Sequence, residues 1–456
     1  MTKASITPLA YQPDATRLFE NIAHLPWSQL LDSCQTDHSR ARYDILVADP
    51  VYKLISQNGE TTVFNRNNQT IESTQDPFVL LHKYSSLYQI KDNELPFYGG
   101  AVGYLGYDLL PVDSEDNRPA LLDMPDLAFG IYEWSIINDH KLQKTFFVSV
   151  DEKIRPDELF ANSLINKDTN QPGLSIKHLQ NSCNEQQYAE IFQRIQHYLT
   201  EGDCYQVNFA RCFYSQCEGN AWASYKQLRT SNPVPFGAYL NLPFAKILSC
   251  SPERFIKVRG NRVETCPIKG TSPRSDNNKQ DLKLQEQLAN SSKDKAENLM
   301  IVDLLRNDLG KSCLPGSIKV PELFNIEAFP TVFHMVSTVT GTRKEQLTAL
   351  DVLQNSFPGG SITGAPKKRA MQIIQELETF KRQLYCGSIG YISFNGNIDT
   401  NIAIRTLVSD GKQLVFWAGG GIVSDSQPDQ EFAETIDKAR AFLSMLTDNN
   451  DWVSAK

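Results

Sequence analysis

Apolar and polar residues alternate along several short segments of the C-terminal half, a pattern typical of strands with one buried face. Turn signals separate these segments, namely RGN at 259–261, NGN at 395–397 and SDGK at 409–412. Such turns favour hairpins, so we expect mostly antiparallel sheet. Strands are predicted at Phe236–Leu242, Ala245–Ser249, Arg254–Arg259, Arg262–Thr265, Ser388–Phe394, Asp399–Thr406 and Gln413–Ala418.

The N-terminal part mixes strand-like runs, such as TTVFN at 61–65, with short helical patterns. Residues 151–187 are rich in Pro, Asn, Asp and Gln and show little periodicity, as expected of a linker. We therefore predict an N-terminal lobe over 1–150, a linker over 151–187 and a C-terminal lobe over 188–450, in which Tyr188–Thr200 begins as a helix. Hairpins mixed with separate helices are typical of α+β proteins and not of a Rossmann alternation.

The charge and the cysteine content narrow the classes of partner and the cellular compartment that we expect for this protein. The formal net charge is -8 and no block of basic residues occurs, which argues against DNA or RNA as the main partner. The N-terminus lacks the apolar core of a signal peptide, and the most apolar runs are far too short to cross a membrane. The nine cysteines form no CxxC pair, so neither a disulfide framework nor a thiolate zinc site is indicated. We expect a reduced, cytoplasmic protein.

Two predicted helices carry carboxylates. The first spans Ser291–Gly310 and places Glu297, Ile301, Leu304 and Asp308 on or near one face. A carboxylate on an otherwise apolar face is costly to bury unless it is paired or bound to a metal. An exposed helix whose carboxylates form surface salt bridges would explain the same pattern about equally well.

The second helix begins near Pro428, where Ser426 and Asp429 suit a capping box. Glu431, Glu434 and Lys438 then share one face. The two glutamates repel each other slightly, and a magnesium ion with carboxylate and water ligands would offset this repulsion. For a lone helix, a solvated acidic face is the commoner explanation.

Lys269 lies in the segment CPIKGTSPR, 266–274, where the pattern predicts a turn after a strand. Its amine is a nucleophile if burial or a nearby cation lowers the pKa, although an ordinary surface lysine is commoner in such a turn.

Two glycine-rich segments, 357–371 and 418–426, could bring backbone N–H groups against an anion. The first is not a P-loop, because Ala-Pro follows Gly364 where the Walker pattern requires Lys-[Ser/Thr].

The order of these segments resembles the chorismate-utilising enzymes, a family that includes anthranilate, isochorismate and salicylate synthases. The resemblance covers about 185–446, and the segment 24–50 is similar to the N-terminal lobe of the aminating members. The segments that carry it are GDCYQVNFAR (202–211), SPERF (251–255), PIKGT (267–271), KDKAENLMIVDLLRNDLG (293–310), FHMVSTVTG (333–341), FPGGSITGAPKKRAM (357–371), YCGSIGYI (385–392), NIAIRT (401–406), AGGGIV (418–423) and ETIDKA (434–439).

The resemblance implies two large, mostly antiparallel sheets with helices outside, formed by interdigitated N- and C-terminal lobes. It also implies that chorismate binds in a cleft with Mg²⁺ and that Glu253 is the general acid for loss of the C4 hydroxyl. The implied metal ligands are Glu297, Glu431 and Glu434, and the implied chorismate-binding residues are Gly270, Thr271, His334, Tyr385, Arg405, Gly420, Gly421 and Lys438.

Two positions distinguish the branches of this family. Members that add water have a Lys base where this chain has Gln206, and a glutamine cannot deprotonate water. Anthranilate synthases have PIAGT where this chain has PIKGT, so Lys269 is the expected signature of the para-aminating branch. In that branch the lysine amine adds at C2 of chorismate, and ammonia then attacks C4 and displaces it.

The resemblance also implies partners. No Gly-x-Cys-x-Gly glutaminase motif occurs, so a separate glutamine amidotransferase subunit is expected to supply ammonia. Aminating relatives can hold tryptophan near an LLxS motif, which corresponds here to Leu30–Ser33 and marks Ser33 as a pocket residue. The alternatives are an anthranilate-forming enzyme, a non-catalytic relative that binds chorismate or the amidotransferase, and a nucleotide enzyme.

Overall fold

Strands from both halves of the chain build two large antiparallel sheets, which confirms the predicted α+β class. The structure is a computed structural model that describes residues 2–34, 38–110, 112, 116–157 and 171–447. The strands are β1 (Ser5–Leu9), β2 (Ser28–Asp32), β3 (Tyr43–Val47), β4 (Tyr52–Gln57), β5 (Glu60–Asn65), β6 (Thr70–Thr74), β7 (Gly100–Leu105), β8 (Leu127–Tyr132), β9 (Trp134–Asp139), β10 (Lys144–Ser149), β11 (Ser175–Ile176), β12 (Gln180–Asn181), β13 (Gln206–Glu218), β14 (Phe236–Asn241), β15 (Lys246–Ser251), β16 (Arg254–Arg259), β17 (Arg262–Cys266), β18 (Ile268–Pro273), β19 (Lys319–Ala328), β20 (Val332–Thr342), β21 (Gly364–Ala365), β22 (Ser388–Ser393), β23 (Ile398–Asn401), β24 (Thr406–Ser409) and β25 (Gln413–Ile422).

The two lobes share both sheets. The first sheet has the order β1-β10-β9-β3-β2-β14-β15-β24-β25-β13-β11, with β12 and β21 also paired to β13. The second has the order β18-β20-β17-β16-β23-β22-β7-β8-β4-β5-β6, with β19 paired to β20. Pairing of β2 with β14, and of β7 with β22, joins the N- and C-terminal parts. The predicted interdigitation is therefore confirmed.

The helices lie outside the sheets or at their ends. Their bounds are α1 (Ala15–Glu20), α2 (Pro77–Ser85), α3 (Glu185–Thr200), α4 (Ala221–Ser231), α5 (Asn278–Asn290), α6 (Ser292–Ser312), α7 (Ala349–Ser356), α8 (Lys367–Leu377) and α9 (Pro428–Leu446). On one face of the first sheet, Phe19, Tyr225 and Phe442 from α1, α4 and α9 join Leu30 and Leu248 in an apolar cluster. No helix in the described part of the chain is long and apolar enough to span a membrane.

The main apolar core contains residues of both sheets. Ile137 and Leu240 of the first sheet join the same buried cluster as Tyr104 and Ile256 of the second. Burial of this apolar surface is the main term that holds the two sheets face to face. The loops that join these strands are therefore attached to one packed core.

The segment predicted as a linker is partly in regular structure. Strands β11 and β12 within it pair with β13. Helix α3 begins at Glu185, three residues before the predicted start at Tyr188. Residues 158–170 of the same segment lie outside the described residues.

The strand predicted at Asp399–Thr406 is wrong as a single element. Strand β23 belongs to the second sheet and β24 to the first, so the chain crosses between the sheets at 402–405. Arg405 has a φ of 50° at this crossing, a conformation that is uncommon for a residue other than glycine. A propensity pattern does not reveal a change of sheet, because both parts contain strand-forming residues.

Candidate active site

Lys269 lies within β18 and not in the turn that the sequence predicts. The register between β18 and β20 shifts within 268–271, and Gly270 in this bulge has a φ of 85°. A Cβ atom on Gly270 would lie only 2.9 Å from Asp294 Oδ1, so the bulge requires glycine. From this bulge the Lys269 amine donates a hydrogen bond of 3.2 Å to the Ser361 carbonyl.

The amine of Lys269 is surrounded by charged side chains from several elements. Burial lowers the pKa of Lys269, and the carboxylates of Glu297, Glu253 and Glu434 partly oppose this by raising it. The cation of Lys438 lowers this pKa further. A lowered pKa increases the fraction of neutral, nucleophilic amine near neutral pH.

Glu253 lies between β15 and β16 and is only 5% exposed. The Ser361 hydroxyl donates a hydrogen bond of 2.6 Å to Glu253 Oε1. Burial raises the pKa of Glu253 to about 7, although the Ser361 bond and the charge of Lys269 lower it. A substantial fraction of this carboxyl group is therefore protonated near neutrality, as a general acid requires.

Glu297 lies on α6, at the position where the sequence predicts a helix over Ser291–Gly310. Ser291 caps the helix by accepting a bond of 3.2 Å from Asp294 N, and the helix continues two residues beyond the predicted end at Gly310. Burial raises the pKa of Glu297, and the negative charge of Glu431 raises it further. Helices α6 and α9 thus bring two carboxylates within electrostatic reach of each other.

Helix α9 begins at Pro428, as predicted, but the predicted capping box is wrong. Gln427 is the N-cap and makes no side-chain capping bond. The Ser426 hydroxyl instead donates a bond of 2.7 Å to Glu431 Oε1. Burial raises the pKa of Glu431, and the Ser426 bond and the cations Lys293 and Lys438 offset this only in part, so the charged form of this carboxylate is disfavoured.

These carboxylates could hold a divalent cation only together with oxygen ligands from outside the protein, such as water. Within the described residues, no three His, Cys, Asp or Glu side chains form a group that could hold a metal alone. Mg²⁺ is usually held by one or two carboxylates together with waters and substrate oxygens. The mutual repulsion of Glu297 and Glu431 is what a divalent cation would relieve. We call the following residues the carboxylate–lysine cluster: Glu253, Lys269, Glu297, Glu431, Glu434 and Lys438.

The residues predicted to bind the substrate carboxylates border this cluster. The Thr271 hydroxyl lies 2.9 Å from His334 Nδ1. Burial lowers the pKa of His334 to about 3, with smaller contributions from the cations Arg405 and Lys438. His334 is therefore a neutral ring beside two cations, which leaves their charge available for an anion.

Tyr385 adds an aromatic wall beside Arg405. Its ring stacks on Trp417 at a centroid distance of 5.7 Å. Burial lowers the pKa of Arg405, while Glu434 and Tyr385 raise it. Arg405, which was predicted from a single motif, thus lies within electrostatic reach of both the cluster and the aromatic pair.

The glycines at 419–421 belong to β25, which continues four residues beyond the predicted strand end at Ala418. A Cβ atom on Gly420 would lie 3.1 Å from Glu431 Oε2, and one on Gly421 would lie 2.5 Å from Gln206 Nε2. Bare backbone therefore lets Glu431 and Gln206 approach the strand closely. The Gln206 amide is fully buried, and neither of its polar atoms finds a partner among the described residues.

Ser33 does not join the carboxylate–lysine cluster. It lines a separate cavity of about 910 Å³, to which both lobes contribute, for example Tyr43 and Phe236. The Ser33 hydroxyl donates a bond of 2.9 Å to the Tyr43 carbonyl. Asp32 beside it is buried and accepts bonds from Tyr225 and Arg229, so its carboxylate is already satisfied.

Two residues of the site were not predicted. Ser361 contacts both Glu253 and Lys269, and its only sequence signal was its place in the glycine-rich segment 357–371. Lys293 lies within electrostatic reach of Glu297 and Glu431, and its charge lowers the pKa of both. A lysine near a helix start has no pattern that separates this role from an ordinary surface position.

Comparisons with known proteins agree with the geometry. The model of the family described as chorismate binding enzyme matches residues 29–444. The chain is 44% identical to aminodeoxychorismate synthase component 1 of Escherichia coli, over 98% of this chain and 99% of that protein. It is 34% identical to anthranilate synthase component 1 of Aquifex aeolicus, over 91% and 88%. The solved anthranilate synthase component I of Streptococcus pneumoniae superposes with a TM-score of 0.78 at 31% identity, covering 89% of this chain and 92% of that one.

Proposed function

Because the chain belongs to the family of chorismate binding enzymes, we propose that it replaces the C4 hydroxyl of chorismate with an amino group. The product is 4-amino-4-deoxychorismate, on the route to 4-aminobenzoate and folate. The observation that carries this proposal is the position of the Lys269 amine, which bonds to Ser361 within electrostatic reach of Glu253 and Glu297. An ortho-aminating site has no need of a primary amine at this point.

The reaction follows from the chemistry of two side chains. The neutral Lys269 amine forms a bond to C2 of chorismate, the ring double bond shifts, and the C4–O bond breaks. Glu253 gives its proton to the departing oxygen, which leaves as water, a type of assistance typically worth about 10²–10⁴-fold in rate. Ammonia then attacks C4, the double bond shifts back, the Lys269 nitrogen leaves C2 as the free amine, and the extra proton of the new ammonium group returns to Glu253. The net change is the exchange of water for ammonia.

The remaining residues would bind the substrate dianion. Arg405 and Lys438 supply positive charge, and the strand backbone at Gly420 and Gly421 allows close approach. Glu297, Glu431 and Glu434 would hold a magnesium ion, which when bound would neutralise a substrate carboxylate. Thr271, His334 and Tyr385 would form the pocket wall. Gln206, which cannot act as a base, leaves water unactivated.

A partner subunit would supply the ammonia. We propose a glutamine amidotransferase, which is consistent with the word component in the name of the Escherichia coli relative. None of the nine cysteines lies in a nucleophile motif, and burial raises the pKa of several of them, such as Cys250. Free ammonium is expected to replace the partner in vitro.

The nine cysteines are all free thiols, which supports our assignment to the reducing cytoplasm.

The cavity beside Ser33 would hold tryptophan. Its volume of about 910 Å³ is ample for one amino acid, and its wall mixes apolar and charged side chains from both lobes. The position of the cavity between the lobes supports a structural role as well as a regulatory one. Binding of tryptophan is tested by a rise in the unfolding temperature with the ligand, which Ser33→Ala and Phe236→Ala should reduce.

The activity is tested with purified protein, chorismate, Mg²⁺ and excess ammonium over a range of pH, followed by a lyase that removes pyruvate. We expect 4-aminobenzoate. Fluorescent anthranilate would instead identify the ortho-aminating alternative, for which the anthranilate synthase relatives give the main support. Chorismate binding without turnover would identify a non-catalytic relative.

A further inference from the structure

Ser361 is the point at which the two reactive side chains of the cluster meet. Its hydroxyl donates a bond of 2.6 Å to Glu253 Oε1, and its carbonyl accepts a bond of 3.2 Å from Lys269. Only 5% of Ser361 is exposed, so little water competes for either contact. A single residue therefore links Glu253 and Lys269 through two different groups.

Within the glycine-rich stretch, the segment over 357–366 carries Ser361 and is anchored to α6, the helix that carries Glu297. Lys367, directly after this segment, donates a bond of 2.6 Å to Asp308 of α6. It also donates a bond of 3.0 Å to the Ser356 carbonyl, directly before the segment. Both ends of the segment are thus held by one ammonium group against α6.

The turn itself packs tightly on α6. Gly360, directly before Ser361, would place a Cβ atom only 2.6 Å from Leu304 Cδ2. The Thr363 hydroxyl donates a bond of 3.1 Å back to the Gly359 carbonyl across the turn. These contacts leave the turn little freedom, so the directions of the Ser361 hydroxyl and carbonyl are set by the backbone.

We propose that Ser361 is a positioning residue that holds the Glu253 carboxyl and the Lys269 amine in the relative arrangement that acid-assisted addition requires. This inference rests on the proposed function, because it assigns Ser361 to the step in which both groups act on one ring. Lys269 forms its bond at C2 while Glu253 protonates the oxygen leaving C4. Reactions that need two groups at once depend strongly on their placement. Ser361 itself makes no bond to the substrate in this step.

The hydroxyl of Ser361 also influences the protonation of Glu253. A hydrogen bond donated to a carboxylate favours its ionised form, so this bond lowers the pKa of Glu253. The loss of a hydrogen bond to a charged carboxylate should raise the pKa of that group by roughly one to two. Without the hydroxyl, Glu253 should stay protonated to higher pH.

The test is the pH profile of Ser361→Ala, which removes the hydroxyl but keeps the carbonyl contact to Lys269. We expect the alkaline limb of kcat to move upward by about one pH unit. We also expect kcat at the optimum to fall on the order of ten- to a hundredfold, with KM for chorismate changed less. Ser361→Thr keeps a hydroxyl and should restore both values.

Ser356→Ala is the matched control. Ser356 lies next to the same segment and is 1% exposed, but its hydroxyl has no partner among the described residues. Its removal should leave the pH profile unchanged. If Ser361→Ala does not fold, Ser361→Cys preserves most of the volume with a much weaker donor, and it should move the alkaline limb in the same direction.

The outcomes separate this inference from the proposed function. A fall in kcat without movement of the alkaline limb, or no change in either, would overturn the positioning role. Wild-type protein that produces anthranilate would contradict the proposed function, while the same pH profiles on chorismate consumption would still test Ser361. No chorismate turnover by the wild type would overturn both.

Discussion

The Lys438 ammonium lies 2.6 Å from the Glu434 carboxylate, one turn earlier on α9. This cation lowers the pKa of Glu434. Glu431 on the same helix has a serine as its partner, and burial raises its pKa. The two carboxylates of α9 are therefore in different electrostatic states, and a metal ion would stabilise Glu431 and Glu297 more than Glu434.

Glu297→Gln should weaken magnesium activation. The amide keeps the shape of the side chain but removes a negative charge, so the half-activating Mg²⁺ concentration should rise on the order of tenfold or more. The measurement is a magnesium titration of the ammonia-dependent rate. Glu286→Gln on the exposed face of α5 is the matched control. A normal titration for Glu297→Gln would remove this residue from the metal site.

The pH dependence should be bell-shaped. Glu253 must be protonated to act as an acid, and because burial raises its pKa to about 7, its protonated fraction falls as the pH rises through that value. Lys269 must be neutral, so the rate falls again at low pH as its amine gains a proton. Glu253→Gln should reduce kcat by about 10²–10⁴-fold.

The residual rate of Glu253→Gln should no longer fall on the alkaline side. The profile is measured as kcat and kcat/KM for chorismate across the range in which the fold is stable. An alkaline limb that persists in Glu253→Gln would assign that limb to another group.

Breaking the pair between Asp308 and Lys367 should destabilise the fold. Asp308 is 1% exposed and keeps Lys311 at 3.0 Å as a second partner, so the loss of Lys367 should cost about 1.5–3 kcal/mol, the usual value of a hydrogen bond to a charged group. We therefore expect Lys367→Met to lower the free energy of unfolding by about this amount in urea titrations. Lys367→Met combined with Asp308→Leu should recover part of the loss. A single-variant cost below about 1 kcal/mol would show that the pair behaves like a surface salt bridge.

Much of the site could be predicted because its residues lie in regular elements. Helical periodicity places Glu297 near the start of α6 and Glu434 early in α9, and both helices occur where predicted. The family motifs added Glu253, Arg405 and their roles. The structure then brings these side chains within electrostatic reach of Lys269.

The remaining features depend on contacts that no local pattern contains. Ser361 is significant because Glu253, between β15 and β16, and Lys269 of β18 contact it from about a hundred residues away in the chain. The glycine beside Lys269 favours a turn in the sequence pattern, whereas in the structure this glycine lies in a bulge of β18. Ser426 has the sequence of a cap, but its hydroxyl bonds to a buried glutamate instead.

Lys269→Ala gives the most direct measurement of the central claim, with chorismate, Mg²⁺ and ammonium and with products separated after lyase treatment. Without the amine nothing from the protein occupies C2, so 4-aminobenzoate should fall at least a hundredfold, on the order expected for a lost covalent nucleophile. Lys269→Arg keeps the positive charge but removes the nucleophilic amine, so it should lower 4-aminobenzoate formation as much as Lys269→Ala does. Some anthranilate is expected from both variants, because ammonia can then add at C2. Undiminished 4-aminobenzoate from Lys269→Ala would contradict the account.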